Sequence, residues 1–362
     1  MNHPFGQLVV VMQDPLSLLT ARQVHGWVDR MRIIPFALLI NLLLSGCAEE
    51  AEQDIRSNQS ELEKITRLAE VGDPLAQNKL GLSYYRGENV PQDFNKALEW
   101  YGKAAAQEFA DAQYNLGAMY DAGHGIPEDN AVAAKWYAKA AEQGNPSAQS
   151  NLGAMYLNGE GLTQDDTEAL KWFSKAAGQG YAIAQYNLGV IYDKGFGVPE
   201  NNEEAVKWYA KAAEQGNAGA QSNLGYMYEN GEGVPQNYSL AGRWYAQAVA
   251  QEDADAQLGL GNMYYHGRGL PEDDKEAIKW YRKAAAQGHA SAQYNLGVMY
   301  KDGRGAEKNL IEAYAWYNLA FAFGDKDAQS ERDGLGLKDG EISQARVLSS
   351  EIYKMIVAQR GN

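Results

Sequence analysis

Residues 112–120 read Ala112-Gln113-Tyr114-Asn115-Leu116-Gly117-Ala118-Met119-Tyr120, and 36 residues later the chain reads Ala148-Gln149-Ser150-Asn151-Leu152-Gly153-Ala154-Met155-Tyr156. Ala112, Leu116, Met119 and Tyr120 fall on one face at helical spacing, so the stretch is an amphipathic helix. The copy is not isolated. Seven tryptophans stand 36 residues apart, at Trp100, Trp136, Trp172, Trp208, Trp244, Trp280 and Trp316. The series from Gly81 to Gly297 and from Tyr84 to Tyr300 keep the same period, and an Ala-Gln pair recurs from Ala76-Gln77 to Ala328-Gln329. A fixed period of this length is the mark of stacked supersecondary units.

Each unit reads as two antiparallel helices. The first stops at a glycine (Gly87, Gly123, Gly159, Gly195, Gly231, Gly267, Gly303), where a left-handed C′ residue costs least. The second opens at Asp93, Asp129, Asp165, Asn201, Asn237, Asp273 or Asn309, all good N-cap residues. Glu168, Glu204, Glu276 and Glu312, three residues on, are placed to close capping boxes. In the second helix Ala97, Trp100, Tyr101, Ala104 and Ala105 form an apolar stripe, which puts the Trp-Tyr pairs in the core. One helix pair cannot bury such a stripe alone, but stacked pairs can. The expected architecture is therefore all-α: a right-handed α-solenoid of stacked antiparallel helix pairs, each helix about 13 residues or roughly 20 Å long.

A glycine inside the first helix costs about 1 kcal/mol relative to alanine, and the chain repeats that cost from Gly81 to Gly297. The compensation expected is close approach, with a large Trp or Tyr of a neighbouring helix lying against the missing side chain. Repeat positions account for 26 of the 38 glycines, which are punctuation rather than flexible linker.

Length alone, 362 residues, suggests two or three domains, whereas the period makes nearly everything after Cys47 one elongated domain. Lys plus Arg number 32 against 47 Asp plus Glu, a net charge of −15 that argues against nucleic acid as a partner. With one cysteine, Cys47, neither an intrachain disulfide nor a Cys-rich metal site can form.

Met31 and Arg32 open an apolar run from Ile33 to Leu44, interrupted by Asn41. A basic start, a short apolar stretch and small residues at its end are the parts of a secretory signal. The run is well short of the roughly 20 residues a spanning helix needs. Leu44-Ser45-Gly46-Cys47 resembles a bacterial lipobox, which implies lipidation of Cys47 and cleavage just before it. The alternative, a thiol buried after a short core helix, sits badly with the acidic stretch Glu49 to Asp54 that follows. Ala48, where an inner-membrane lipoprotein carries Asp, implies the outer membrane, with the repeats in the periplasm. Residues 1–30 read as a start-site extension ahead of Met31, or as a long n-region carrying Arg22 and Arg30. The signal then covers 31–46 and an acidic tether 47–60. Cleavage removes three basic and two acidic residues, leaving a net charge of −16.

The repeat unit, Ala-x-Ala-Gln-x-Asn-Leu-Gly-x-Met-Tyr, then Gly-x-Gly-Val-Pro, then Asp or Asn and Ala-x-x-Trp-Tyr-x-Lys-Ala-Ala, resembles the Sel-1-like repeat family, relatives of the tetratricopeptide repeat. Seven copies span 73–324. Residues 61–72 resemble a capping second helix with Lys64 at the Trp position, and 325–362 a partial repeat with a C-terminal capping helix. The resemblance implies a scaffold that binds another protein or peptide along a concave surface lined by the first helices. Bacterial members are often secreted or attached to the envelope. Some cysteine-rich members are linked to β-lactam binding or hydrolysis, but no cysteine lies in these repeats.

Asn115, Asn151, Asn187, Asn223 and Asn295 recur on the first helix. One amide per repeat can hold an extended peptide backbone, or bond within the stack as part of the framework. The preceding position varies, as Tyr114, Ser150, Tyr186, Ser222, Leu258 and Tyr294, and is the candidate source of partner specificity. His124, His266 and His289 occupy non-equivalent repeat positions without metal-ligand spacing. No phosphate-binding loop or nucleophile elbow is present, and no cofactor or metal is expected. The reading is a lipid-anchored envelope scaffold. Its alternatives are an envelope enzyme acting on a β-lactam or peptidoglycan peptide, and an exported factor that binds a host protein.

Overall fold

The computed structural model describes residues 61–360, and all regular secondary structure among them is helical. The expected extension, signal segment, Cys47 and tether lie outside the described residues. Helix α1, of which residues 61–70 are described, precedes three pairs: α2 (Pro74–Arg86) with α3 (Phe94–Ala105), α4 (Ala110–Ala122) with α5 (Asn130–Glu142), and α6 (Pro146–Asn158) with α7 (Asp166–Gly178). These form one compact unit, ending at Gln179. A second unit, beginning at Gly180, holds α8 (Ala182–Lys194), α9 (Asn202–Glu214), α10 (Ala218–Asn230), α11 (Tyr238–Val249), α12 (Ala254–His266), α13 (Asp274–Ala286), α14 (Ala290–Asp302) and α15 (Leu310–Ala322). It closes with α16 (Ala328–Asp333) and α17 (Asp339–Arg360). Within each unit consecutive helices pack in antiparallel pairs, the paired stacking of an α-solenoid.

The first helix ends as its sequence dictates. Gly123 takes φ 67° and its N–H donates to the Met119 carbonyl. Where the second helix ends, Glu108 and Glu252 take φ 61° and 63° in the slot that other repeats give to glycine. The second helix is capped by its Asp or Asn, as when Asp129 Oδ1 accepts from Val132 N at 3.0 Å. The glutamate three residues on does not close a capping box. The cap residue's own N–H is already taken, since Asp165 N donates to the Tyr156 carbonyl at 2.9 Å and Asn201 N to the Tyr192 carbonyl at 2.7 Å. Glu168 and Glu204 turn outward to Lys171 and Lys207 instead.

The interior glycine faces the ring that follows it by twenty residues. A Cβ on Gly117 would lie 2.7 Å from Tyr137 Cδ1, and one on Gly225 would lie 2.7 Å from Tyr245 Cδ1. At Gly153 the partner is Phe173, 3.1 Å away. The compensating aromatic is thus the Tyr of the pair's own second helix. These rings are at most 1 % exposed, and their hydroxyls reach the far end of the first helix: Tyr137 donates to Asp121 and Tyr245 to Glu229.

The tryptophans depart from expectation. Only Trp172 and Trp316 are buried, and the other five are half-buried. Two of them reach back along the stack: Trp136 packs on the cluster that joins Tyr101 of the preceding repeat to Leu116 and Met119 of its own, and Trp280 on that of Tyr245 and Met263. In five of the seven a lysine three residues on lies over the ring, with Lys139 Nζ 4.2 Å from the Trp136 ring centre and Lys211 Nζ 3.8 Å from that of Trp208. The stripe is wide enough to hold both aromatics, but only Tyr points at the helix that supplies the glycine.

Successive repeats are also joined through glutamines. Gln149 Nε2 donates to the Ala141 carbonyl of the preceding helix at 3.0 Å, and its Oε1 accepts from Gln179 at 2.8 Å. In the second unit Gln221 does the same with Ala213 and Gln251. The series stops where Phe323 replaces the donor, leaving Gln293 Oε1 buried and unpaired.

Adding a methyl group at the aromatic contact overpacks the pair. Gly117→Ala is expected to lower stability in urea unfolding by about 1–3 kcal/mol despite alanine's better helix propensity. Gly102→Ala, in the same unit but with nothing within 4 Å of the new carbon, should raise it by about 0.5–1 kcal/mol.

Candidate functional site

The residues proposed to meet a partner divide sharply by burial. Tyr114, Ser150, Asn151, Asn187, Ser222 and Leu258 are buried, covered by the chain itself. Asn115, Tyr186, Asn223, Tyr294 and Asn295 are half-buried and present surface. The physical reason is the stack. Tyr114 and Tyr186 lean on the core rings of Tyr137 and Tyr209, with centroids 5.7 and 5.9 Å apart, and the amides bond inside the framework. Asn115 Nδ2 donates to Asn78 Oδ1 at 2.9 Å and Asn295 Nδ2 to Asn262 Oδ1 at 3.3 Å. Asn151 and Asn223 form hydrogen bonds with the buried hydroxyls of Tyr137 and Tyr209.

What the first helices leave accessible is a stripe displaced by about one turn. In the second unit it runs through Ile183, Tyr186 and Val190 of α8, Asn223 and Tyr226 of α10, Asn262 and Tyr265 of α12, and Tyr294 and Val298 of α14. In the first unit the stripe is open on α2 and α4, at Leu82, Tyr85, Asn115 and Ala118, and closed on α6, where Asn151 and Ala154 are buried. Sequence reasoning passed over the register of Val190, Tyr226, Asn262 and Val298. The signal was present, since this register also changes from repeat to repeat, beginning Leu82, Ala118, Ala154.

Carboxylates shape the field along this stripe. Burial, followed by Glu232, Glu229 and Asp193, pushes the Tyr226 hydroxyl up to about 12. Burial, then Asp255 and Asp253, does the same for Tyr186. Burial also raises the Glu229 carboxyl, against the opposing pull of the Tyr245 hydroxyl and of Arg268, whose Nη1 stands 3.4 Å away. His289 Nε2 lies 2.8 Å from Asp255 Oδ1. The middle residue of the Gly-x-Gly loop makes a further set of links to the repeat before it. His124 Nδ1 meets the Tyr85 hydroxyl at 2.7 Å and its ring stacks on Phe94. Arg304 lies 4.0 Å from the Tyr265 ring centre and forks onto Asp274. Among the described residues no three His, Cys, Asp or Glu side chains gather as metal ligands would, and no helix is long and apolar enough to cross a membrane.

The sequence profile of the Sel1 repeat matches the chain seven times in succession, at residues 74–109, 110–145, 146–181, 182–217, 218–253, 254–289 and 290–322. The chain belongs to the Sel1 repeat family. It is 30% identical to a Sel1 repeat protein from Oxalobacter formigenes, over 88% of this chain and 98% of that one, with a TM-score of 0.59. It is 28% identical to a protective antigen of uropathogenic Escherichia coli displaying an SLR fold, over 82% of this chain and 87% of that chain, with a TM-score of 0.48. None of the curated proteins compared with it matches. In Sel1 terms, the buried Ala-Gln, Gly and Tyr are the frame common to the repeats. The accessible stripe is what each repeat contributes separately.

Asp253 offers a check on the electrostatics of this face. It caps α12, accepting from Ala256 N at 2.8 Å, and burial together with Asp255 holds its carboxyl up near 6. A carboxyl raised on folding favours the folded state when protonated, and that contribution disappears as pH rises through 6. Asn fills the same cap at Asn145 and Asn217 without a charge. Asp253→Asn should therefore stabilise the protein by about 1–2 kcal/mol above pH 7. In thermal melts the gain should shrink through pH 6 and vanish below the ordinary carboxylate range.

Proposed function

We propose that this Sel1 repeat protein is a non-enzymatic scaffold that binds another protein along the accessible stripe of its first helices. The observation that carries the reading is the separation within each first helix. One face is locked into the stack through Gly, Gln and Asn, while the adjoining face presents half-buried side chains that differ from repeat to repeat, including Tyr186, Tyr226, Tyr265 and Tyr294. Tyrosine supplies contact area at low entropic cost together with a hydroxyl, the chemistry enriched at protein interfaces. Tyr226 and Tyr265 combine partial exposure with a neighbouring charged network, so they are the anchors on which we place the largest share of affinity.

We also propose that the scaffold is held on a bacterial outer membrane by acyl chains on Cys47, with the repeats in the periplasm. The support is the lipobox-like Leu44-Ser45-Gly46-Cys47 and the short apolar run before it. Two or three acyl chains anchor stably where a single one binds only marginally.

Two measurements test these readings. Crosslinking in cells followed by mass spectrometry identifies the partner, and the pair Tyr226→Ala and Tyr265→Ala should then weaken its binding by tenfold or more at a temperature where circular dichroism shows the variant still folded. Undiminished binding would remove the stripe from consideration. Cys47→Ser should release the protein from the membrane fraction, and unchanged association and processing would dismiss the anchor.

A further inference from the structure

Among the described residues of the unit that ends at Gln179, the large apolar side chains that stand exposed are Leu68, Val71 and Leu75. They are 42, 81 and 49 % exposed, and fall within eight residues of one another where α1 turns into α2. Elsewhere in the unit the equivalent positions are built differently. The register of Leu68 is occupied by Ala104, Ala140 and Ala176, each fully buried. The register of Val71 is Gln107, Gln143 or Gln179, the donors of the glutamine series, and that of Leu75 is Asp111 or Ser147. At this corner alone the unit replaces an alanine and two polar residues with three apolar ones that its own helices do not cover.

From this corner we infer a second contact with the bilayer: Leu68, Val71 and Leu75 dip into the lipid surface and orient the first repeats against the membrane. The inference rests on lipidation of Cys47. Only 13 residues, 48–60, separate that cysteine from the described start of α1. Even fully extended they span no more than about 45 Å. A tether of this length holds the corner at an effective concentration of order millimolar at the surface, so an apolar patch too small to bind membranes by itself is sufficient. The attraction is apolar rather than ionic, because Lys64 and Arg67 on α1 are outnumbered by Glu61, Glu63 and Glu70. Docking therefore does not depend on anionic lipid, and salt does not release it.

The test supplies the tether artificially, so that it does not depend on processing at Cys47. The chain from residue 47 onward, carrying Cys47→Ser and an N-terminal hexahistidine, is held on phosphatidylethanolamine vesicles doped with nickel-chelating lipid. Val71→Cys is then its only thiol and takes an NBD probe. On vesicles the probe's emission should rise several-fold and shift to the blue, equally with and without phosphatidylglycerol and in high salt. A probe at Lys139→Cys should not change, and Leu68→Glu with Leu75→Glu should abolish the response. An unchanged Val71 probe on tethered protein would overturn the inference. So would a response that grows with protein concentration in the absence of vesicles, which would assign the corner to a second copy of the chain. Failure of the Cys47 reading registers separately, in the fractionation of Cys47→Ser cells.

Discussion

Contact between a side-chain-free position on one helix and an aromatic ring on the next sets the geometry of every repeat. Because Gly117 offers no Cβ, the Tyr137 ring comes within 2.7 Å of where one would stand on α4. Several other features follow from that distance. The ring's hydroxyl is carried to Asp121. In the turn between the helices a tyrosine carbonyl occupies the cap N–H of the second helix. The remaining width of the second helix is left for tryptophan to reach the repeat before it.

The frame and the recognition surface are consequently adjacent but chemically distinct. Buried amides and hydroxyls satisfy one another, as in the bonds of Gln149 and Tyr245, and unpaired polar groups there would be costly. The accessible stripe is less constrained, so Val190 and Tyr226 share one register with Asn262, whose amide oxygen still accepts from Tyr281 and Asn295. Carboxylates cluster beside its tyrosines, while lysines cover the tryptophans of the second helices. The two helix layers thus display different electrostatic character despite a common repeat.

Helix boundaries, caps and the role of Gly117 were all readable from period and residue type, because each is decided within a single repeat. What could not be read depends on neighbours. Trp100 and Tyr101 look alike on a helical wheel, and only the packing of the pair separates them: Tyr101 lies against Gly81 of its own first helix and is covered, while Trp100 is half-buried. Tyr114 and Tyr186 share a register, yet one is 6 % exposed and the other is half-buried. Glu168 satisfies the capping-box spacing, but a carbonyl from another helix reached the N–H first. The stripe at Tyr226 is marked in the sequence only by variation within its register, and which variable register faces outward depends on how neighbouring helices pack.

The glutamine series has a consequence for how such a chain can change its length. Gln113, Gln149 and Gln221 each take an acceptor from the repeat before and a donor from the end of their own repeat, so a 36-residue block of this pattern duplicated beside itself leaves those partners matched. The junction heals without a compensating substitution. Extension past Phe323 has no such provision, because the donor there has been replaced by a ring tilted against that of Tyr353. The array can therefore be lengthened internally by whole blocks without loss of these bonds, whereas at Phe323 the glutamine pattern ends.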